Sequence, residues 1–180
     1  GLAIEADAGA MNDLKNKEID TLLTAPINKD TIQSEEFNFP GHTEYLEQKF
    51  GVQDSLMFFV SDSLKIALVT NHLPVSKIAQ NITQEKIVRK LQLLNDSLKK
   101  DFMIVKPRIA VLALNPHAGD NGLLGDEEQN IILPAMKTAQ QEHKIFCAGP
   151  FPADGFFGST AMKSYDAVLA MYHDQALAPF

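Results

Sequence analysis

Three apolar runs along the chain each stop at a histidine. Leu64–Thr70 (LKIALVT) leads into Asn71-His72-Leu73-Pro74, Ile109–Leu114 (IAVLAL) into Asn115-Pro116-His117-Ala118-Gly119, and Asp166–Met171 (DAVLAM) into Tyr172-His173-Asp174-Gln175. Runs of this length without polar alternation read as strands covered on both faces, and the Asn, Pro and Gly that follow read as turns. In a parallel sheet such strands bring their carboxyl ends to one rim, the edge where open α/β sheets bind ligands. The pattern predicts three imidazoles along that edge.

The remaining pattern fills in around these runs. Ile4, Ala8, Met11 and Leu14 share helical spacing and predict a helix over Ile4–Lys17, followed by a short strand, Thr21–Thr24. Pro26 marks Ala25–Lys29 as a loop, and Phe39–Glu44 is a second turn that opens a helix to Phe50, closed by Gly51. Leu56–Val60 lies close enough to Leu64–Thr70, across Ser61-Asp62-Ser63, to pair as a hairpin, which makes the sheet mixed. Thr83–Asp101 is the clearest helix, with Thr83 as its N-cap and a stripe of Ile87, Leu91, Leu94 and Leu98. A Gly-rich loop, Gly119–Gly125, precedes a helix over Asp126–Gln140 with acids at its start. Ile145–Ala148 is a brief strand, Gly149–Gly158 an irregular loop, and no helix is expected after the third histidine. Alternating strands and helices define the α/β class, here a three-layer α/β/α arrangement on a mostly parallel or mixed sheet. No repeat, low-complexity segment or internal boundary stands out within 1–180.

Composition narrows the function classes. A net charge of −7 argues against nucleic acid as a partner, since that would need a basic face. No apolar run reaches the length of a membrane span. Cys147 is the single cysteine, which excludes a disulfide framework or a thiolate metal cage and makes a cytoplasmic setting the default. The chain starts at Gly1 without a methionine and stops seven residues past His173, so it is expected to be the central part of a larger protein.

An isolated loop histidine is more often solvated or structural than a ligand, but three in one strand-end context point to a metal. Neutral imidazoles suit zinc and other first-row divalent ions, and three protein ligands leave positions open for water or substrate. His143 sits late in a polar helix and reads as an exposed residue favoured near a helix carboxyl end. His42 and Thr43 open a helix, where free N–H groups, a hydroxyl and an imidazole make an anion seat; capping alone explains them equally well. Gly119–Gly125 matches neither the Walker pattern nor GxGxxG. Asp154 and Asp174 lie near the three histidines, and each could orient a ring, take part in proton transfer or cap a turn. Asp174 adjoins His173, which favours it.

Six strings occur in order: Thr24–Lys29 (TAPINK), Gly41–Glu44 (GHTE), Thr70–Pro74 (TNHLP), Leu114–Gly119 (LNPHAG), Gly149–Asp154 (GPFPAD) and Ala170–Gln175 (AMYHDQ). Together they resemble the 4-hydroxythreonine-4-phosphate dehydrogenases of pyridoxal phosphate biosynthesis. The resemblance implies a fold similar to isocitrate and isopropylmalate dehydrogenases, so a missing GxGxxG does not count against a nicotinamide cofactor. It implies His72, His117 and His173 as metal ligands, His42 and Thr43 as a substrate-binding pair, and active-site positions for Asp154 and Asp174. It implies NAD or NADP, a divalent metal such as zinc, magnesium, cobalt or manganese, and a homodimer whose active site draws ligands from both chains. The implied reaction oxidises 4-phosphooxy-L-threonine and decarboxylates the product to 3-amino-2-oxopropyl phosphate. Members of this family continue past both ends of these 180 residues, which implies little dehydrogenase activity for this stretch alone. Two other readings stay open: a paralogue acting on another phosphorylated hydroxy acid, such as a phosphothreonate or phosphoerythronate, and a non-catalytic metal-binding or dimerisation domain.

Overall fold

The computed structural model describes residues 2–24, 42–52 and 54–180, with side chains from residue 9 onward apart from 42 and 44. The loop expected at Ala25–Lys29 and the turn at Phe39–Gly41 lie outside the described residues. The chain divides into two compact units, Gly1–Ser55 and Leu56–Phe180.

The first unit contains helices α1 (Leu2–Lys15) and α2 (His42–Phe50). Met11 and Tyr45 are its buried anchors, and the Lys15 Nζ lies 5.7 Å from the centre of the Phe50 ring. The expected strand at Thr21–Thr24 is absent: among the described residues no strand pairs with it, and Leu23 is 95% exposed. An apolar dipeptide without a ladder partner has nothing to hold it as a strand.

The second unit is built on a five-stranded sheet, β1 (Phe58–Val60), β2 (Lys65–Leu68), β3 (Arg108–Leu112), β4 (Phe146–Phe151) and β5 (Ala167–Ala170) in the order β1-β2-β5-β3-β4. β1 and β2 form the expected antiparallel hairpin, with Phe59 opposite Ile66, and β2, β5, β3 and β4 run parallel. Alternate residues of each strand serve two separate cores. Ala67, Val69, Ile109, Val111, Ala167 and Leu169 face α3 (Gln84–Lys100) and α4 (Leu133–His143). Ile66, Leu68, Ala110, Leu112, Val168 and Ala170 face the other way, onto Phe156 of α5 (Ala153–Phe157) and Ala176 of α6 (His173–Leu177). Covering both faces is why these strands carry unbroken apolar runs.

Helix α3 follows the expected pattern closely. The Thr83 hydroxyl accepts the Lys86 N–H at 3.2 Å, and Ile87, Leu91, Leu94 and Leu98 are fully buried, each contributing roughly 1.5–3 kcal/mol. Three expectations are corrected. The helix placed at Asp126–Gln140 opens with a wide π-helical turn, Glu128–Ile132, before α4. Gly149–Gly158 is not irregular throughout, because β4 continues to Phe151 and Phe156 anchors α5 in the second core. A short helix, α6, does follow the third histidine, and its Ala176 is buried beneath the sheet rim.

Candidate functional site

The four parallel strands end on a common rim, and their order fixes the order of what they deliver: His72 after β2, His173 after β5, His117 after β3 and Asp154 after β4. Neighbouring strands lie about 4.8 Å apart. Accordingly His72 and His173 come together, with ring centres 5.4 Å apart and planes inclined by 48°. The Nδ1 of His173 lies 2.9 Å from Asp174 Oδ1. When that nitrogen donates its proton, the neutral ring presents Nε2 with a free lone pair, the arrangement that metal-ligating histidines share.

Three side chains brace the rim, and all three act on main-chain atoms. The buried Thr70 hydroxyl donates to the carbonyl of Met171 at 2.7 Å, tying the end of β2 to the end of β5. Gln175, in the first turn of α6, accepts the Met171 N–H on Oε1 and donates from Nε2 to the Ala113 carbonyl, both at 2.7 Å. One amide thus links the ends of β5 and β3. Glu128, 2% exposed, accepts the N–H of Leu114 at 2.8 Å and that of Asn115 at 2.7 Å on the same oxygen, Oε1. Its Oε2 accepts from Asn115 Nδ2 at 3.0 Å, and that amide also donates to Glu127 Oε2 at 2.7 Å.

The turn that follows Asn115 has an unusual backbone. His117, Ala118, Gly119, Asp120 and Asn121 all have positive φ, from 43° to 79°, and four of the five are not glycine. Such conformations cost roughly 1–2 kcal/mol per non-glycine residue and persist only where the surroundings enforce them. Gly119 is forced: a Cβ there would lie 2.7 Å from both Glu128 Oε2 and the Gly125 carbonyl. Gly125, at φ 127°, is forced too, since a Cβ would collide with Asn115 Nδ2. The expected Gly-rich loop is therefore a compact left-handed turn packed onto two glutamates.

The structure brings some candidates together and not others. His117 is exposed on its turn, and among the described residues no three His, Cys, Asp or Glu side chains are gathered closely enough to hold a metal ion. Asp174 lies beside His173, whereas Asp154 stands exposed in the first turn of α5. Thr43 is half-buried on α2 in the first unit, and the side chain of His42 lies outside the described residues. His143 is exposed at the end of α4, its Nδ1 2.9 Å from Gln92 Nε2, in keeping with the surface role expected of it. Sequence reasoning missed Thr70, Gln175, Glu128 and Asn71. Asn71, next to His72, has a buried Oδ1 with no hydrogen-bond partner among the described residues. For Glu128 a signal existed: it shares helical spacing with the buried Ile132, Ala135, Met136 and Ala139.

The family model for the pyridoxal phosphate biosynthetic protein PdxA matches residues 2–180. The chain belongs to the PdxA family. Within the PdxA family, a Bacteroides thetaiotaomicron protein named 4-hydroxythreonine-4-phosphate dehydrogenase is 55% identical over 179 residues, covering 99% of this chain and 49% of its own length. A Sulfurihydrogenibium protein of the same name is 44% identical over 170 residues, covering 94% of this chain and 52% of that protein. The crystal structure of a 4-hydroxythreonine-4-phosphate dehydrogenase from Burkholderia phymatum superposes with a TM-score of 0.82 at 37% identity, covering 94% of this chain and 51% of that one. This chain spans about half the length of the curated relatives it matches. The expected fold class holds: the mostly parallel sheet between helices is the isocitrate dehydrogenase-like α/β fold of the PdxA dehydrogenases.

Proposed function

We propose that this chain forms the metal-binding part of a PdxA-type dehydrogenase. In this reading the whole protein oxidises 4-phosphooxy-L-threonine with NAD or NADP and decarboxylates the product to 3-amino-2-oxopropyl phosphate, in pyridoxal phosphate biosynthesis. The observation that carries it is the His72–His173 pair, with Asp174 on the second ring, at the carboxyl rim of a PdxA-family sheet.

His72, His117 and His173 would hold a divalent metal: zinc, magnesium, cobalt or manganese. The donor chemistry fits, because imidazole nitrogens suit such ions and Asp174 leaves the His173 Nε2 free to coordinate. The buried Asn71 Oδ1, without a hydrogen-bond partner among the described residues, supplies a further oxygen beside His72. In this proposal the working unit is a homodimer in which both chains contribute ligands. A metal there supplies Lewis-acid polarisation of the substrate's oxygens, and the nicotinamide supplies the hydride acceptor.

The chain's own residues do the rest. His42 and Thr43, which open α2, form the substrate-binding pair of this reading. Asp174 fixes the tautomer of His173. The exposed carboxylates Asp154 and Asp174 exchange protons: the hydroxyl proton leaves as the hydride departs, and a proton returns to the carbon that loses carbon dioxide. The dehydrogenase activity belongs to the whole protein, and these 180 residues alone give little turnover.

Calorimetric titration of the chain with zinc, alongside His72→Ala, His117→Ala and His173→Ala and with light scattering for mass, tests this reading. Each substitution should weaken binding at least tenfold, and the competent species should be a dimer. Zinc affinity unchanged by all three substitutions would overturn the metal assignment, and robust NAD turnover by the isolated chain would overturn the claim about the remaining length.

A further inference from the structure

We infer that Glu128 is the positioning residue for His117: its buried carboxylate sets the left-handed turn that presents this imidazole at the rim. The role assigned to His117 rests on the metal-binding reading above; the effect on the turn does not.

The geometry is that of a wedge under the turn. One carboxylate oxygen takes two successive N–H groups, of Leu114 and Asn115, where β3 has ended and the chain must change direction. The other oxygen takes the Asn115 amide and lies 2.7 Å from where a Cβ on Gly119 would be. Glu128 therefore touches the entry of the turn and its middle, on either side of His117. Two parallel N–H groups aimed at one oxygen match an ionised carboxylate, whose hydrogen bonds are stronger than those of a neutral acceptor. The π-helical turn at Glu128–Ile132 belongs to the same device. It widens the helix start at the point where the carboxylate leaves the helix for the rim, while Ile132 stays in the core.

A carboxylate that served only general stability would leave a different signature from one that sets the turn. Amide hydrogen exchange on the 180-residue chain separates them. In Glu128→Ala, the Leu114 and Asn115 amides should exchange at least tenfold faster, while those of Val168, Leu169 and Ala170 in β5 keep their protection. Glu128→Gln keeps an oxygen for the two N–H groups but cannot accept from Asn115 Nδ2 on its nitrogen, so its effect should be smaller and confined to the same amides. This second variant carries the test if the alanine variant does not fold. Zinc affinity, measured on the same samples, should fall about tenfold in Glu128→Ala and less in Glu128→Gln. Exchange that rises uniformly across β3 and β5, or a turn that exchanges at the wild-type rate in both variants, would overturn the inference. If the wild-type chain binds no zinc, the metal reading fails, and the exchange pattern alone decides whether Glu128 sets the turn.

Discussion

The turn after β3 and the turn after β5 both deliver a histidine to the same rim, and they are held in different ways. The β5 turn is short: His173 begins α6 directly, pairs with the exposed Asp174, and is fixed from behind by the Gln175 amide. The β3 turn is long and left-handed, its histidine is exposed, and its backbone conformation depends on a carboxylate buried beneath it. A neutral amide suffices where ordinary helix geometry already places the side chain. A buried carboxyl group is used where the chain adopts a conformation that L-residues avoid. The difference shows that a strand-end histidine is only as well placed as the backbone that follows it, and that this backbone is set by residues well away in sequence.

Four substitutions or measurements sharpen this contrast. The largest effect is expected for Gly125→Ala, which imposes φ 127° on an L-residue and drives a Cβ into Asn115. It should cost about 3 kcal/mol in denaturant unfolding and loosen the β3 turn while sparing the β5 turn. Gln175→Ala removes the acceptor of the Met171 N–H and the donor to the Ala113 carbonyl, with an expected loss of about 1–3 kcal/mol. Because that amide reaches both strand ends, exchange should rise on each side of the β5–β3 seam; a change confined to β5 would remove Gln175 as a link between the two. Asp174→Asn acts on the β5 turn alone. With its carboxylate 83% exposed, stability should shift by no more than about 0.5 kcal/mol, whereas zinc affinity should fall about tenfold.

The smallest effect concerns Cys147, on β4 away from both turns. Burial pushes its thiol up from 9.0 to about 11, against a weaker lowering by a hydrogen bond from Gln140. The thiolate is the reactive form, so labelling by a disulfide reagent at neutral pH should be slow and should track global opening. It should stay slow in Asp174→Asn and accelerate in Gly125→Ala, whose loss of stability raises the population of the globally open chain. The sign of the pH dependence follows from the shift. The unfolded thiol ionises first, so the contribution of Cys147 is complete below pH 9 and declines as pH rises toward 11.

Much of the scaffold was legible because it rests on simple periodicities. The apolar runs at Leu64–Thr70, Ile109–Leu114 and Asp166–Met171 read as buried strands, and the Thr83 cap with its four-residue stripe as an amphipathic helix. The rim and its histidines followed from where the runs ended. What escaped was whatever depended on a partner distant in sequence. Thr21–Thr24 looked like a strand because its composition says nothing about whether a neighbour exists. Gly149–Gly158 looked irregular because Pro150, Pro152, Gly155 and Gly158 mask the burial of Phe156. Glu128 was read as an acid favoured at a helix start, although its spacing from Ile132 and Met136 put it on the buried stripe. The left-handed run from His117 to Asn121 carries a partial signature, since glycine, histidine, aspartate and asparagine tolerate such backbone and only Ala118 does not, but residue types do not say that all five adopt it together.

The three braces of the rim share one habit: Thr70, Gln175 and Glu128 grip main-chain N–H and carbonyl groups. A clamp on a main-chain group does not read the side chain of the residue it holds, although Glu128 also takes the Asn115 amide and leaves no room for a Cβ on Gly119. A rim of this kind can exchange an exposed side chain such as Leu73 while keeping the same frame. The architecture thus separates the frame that supports the rim from the side chains the rim presents, so contacts can change without rebuilding the sheet beneath them.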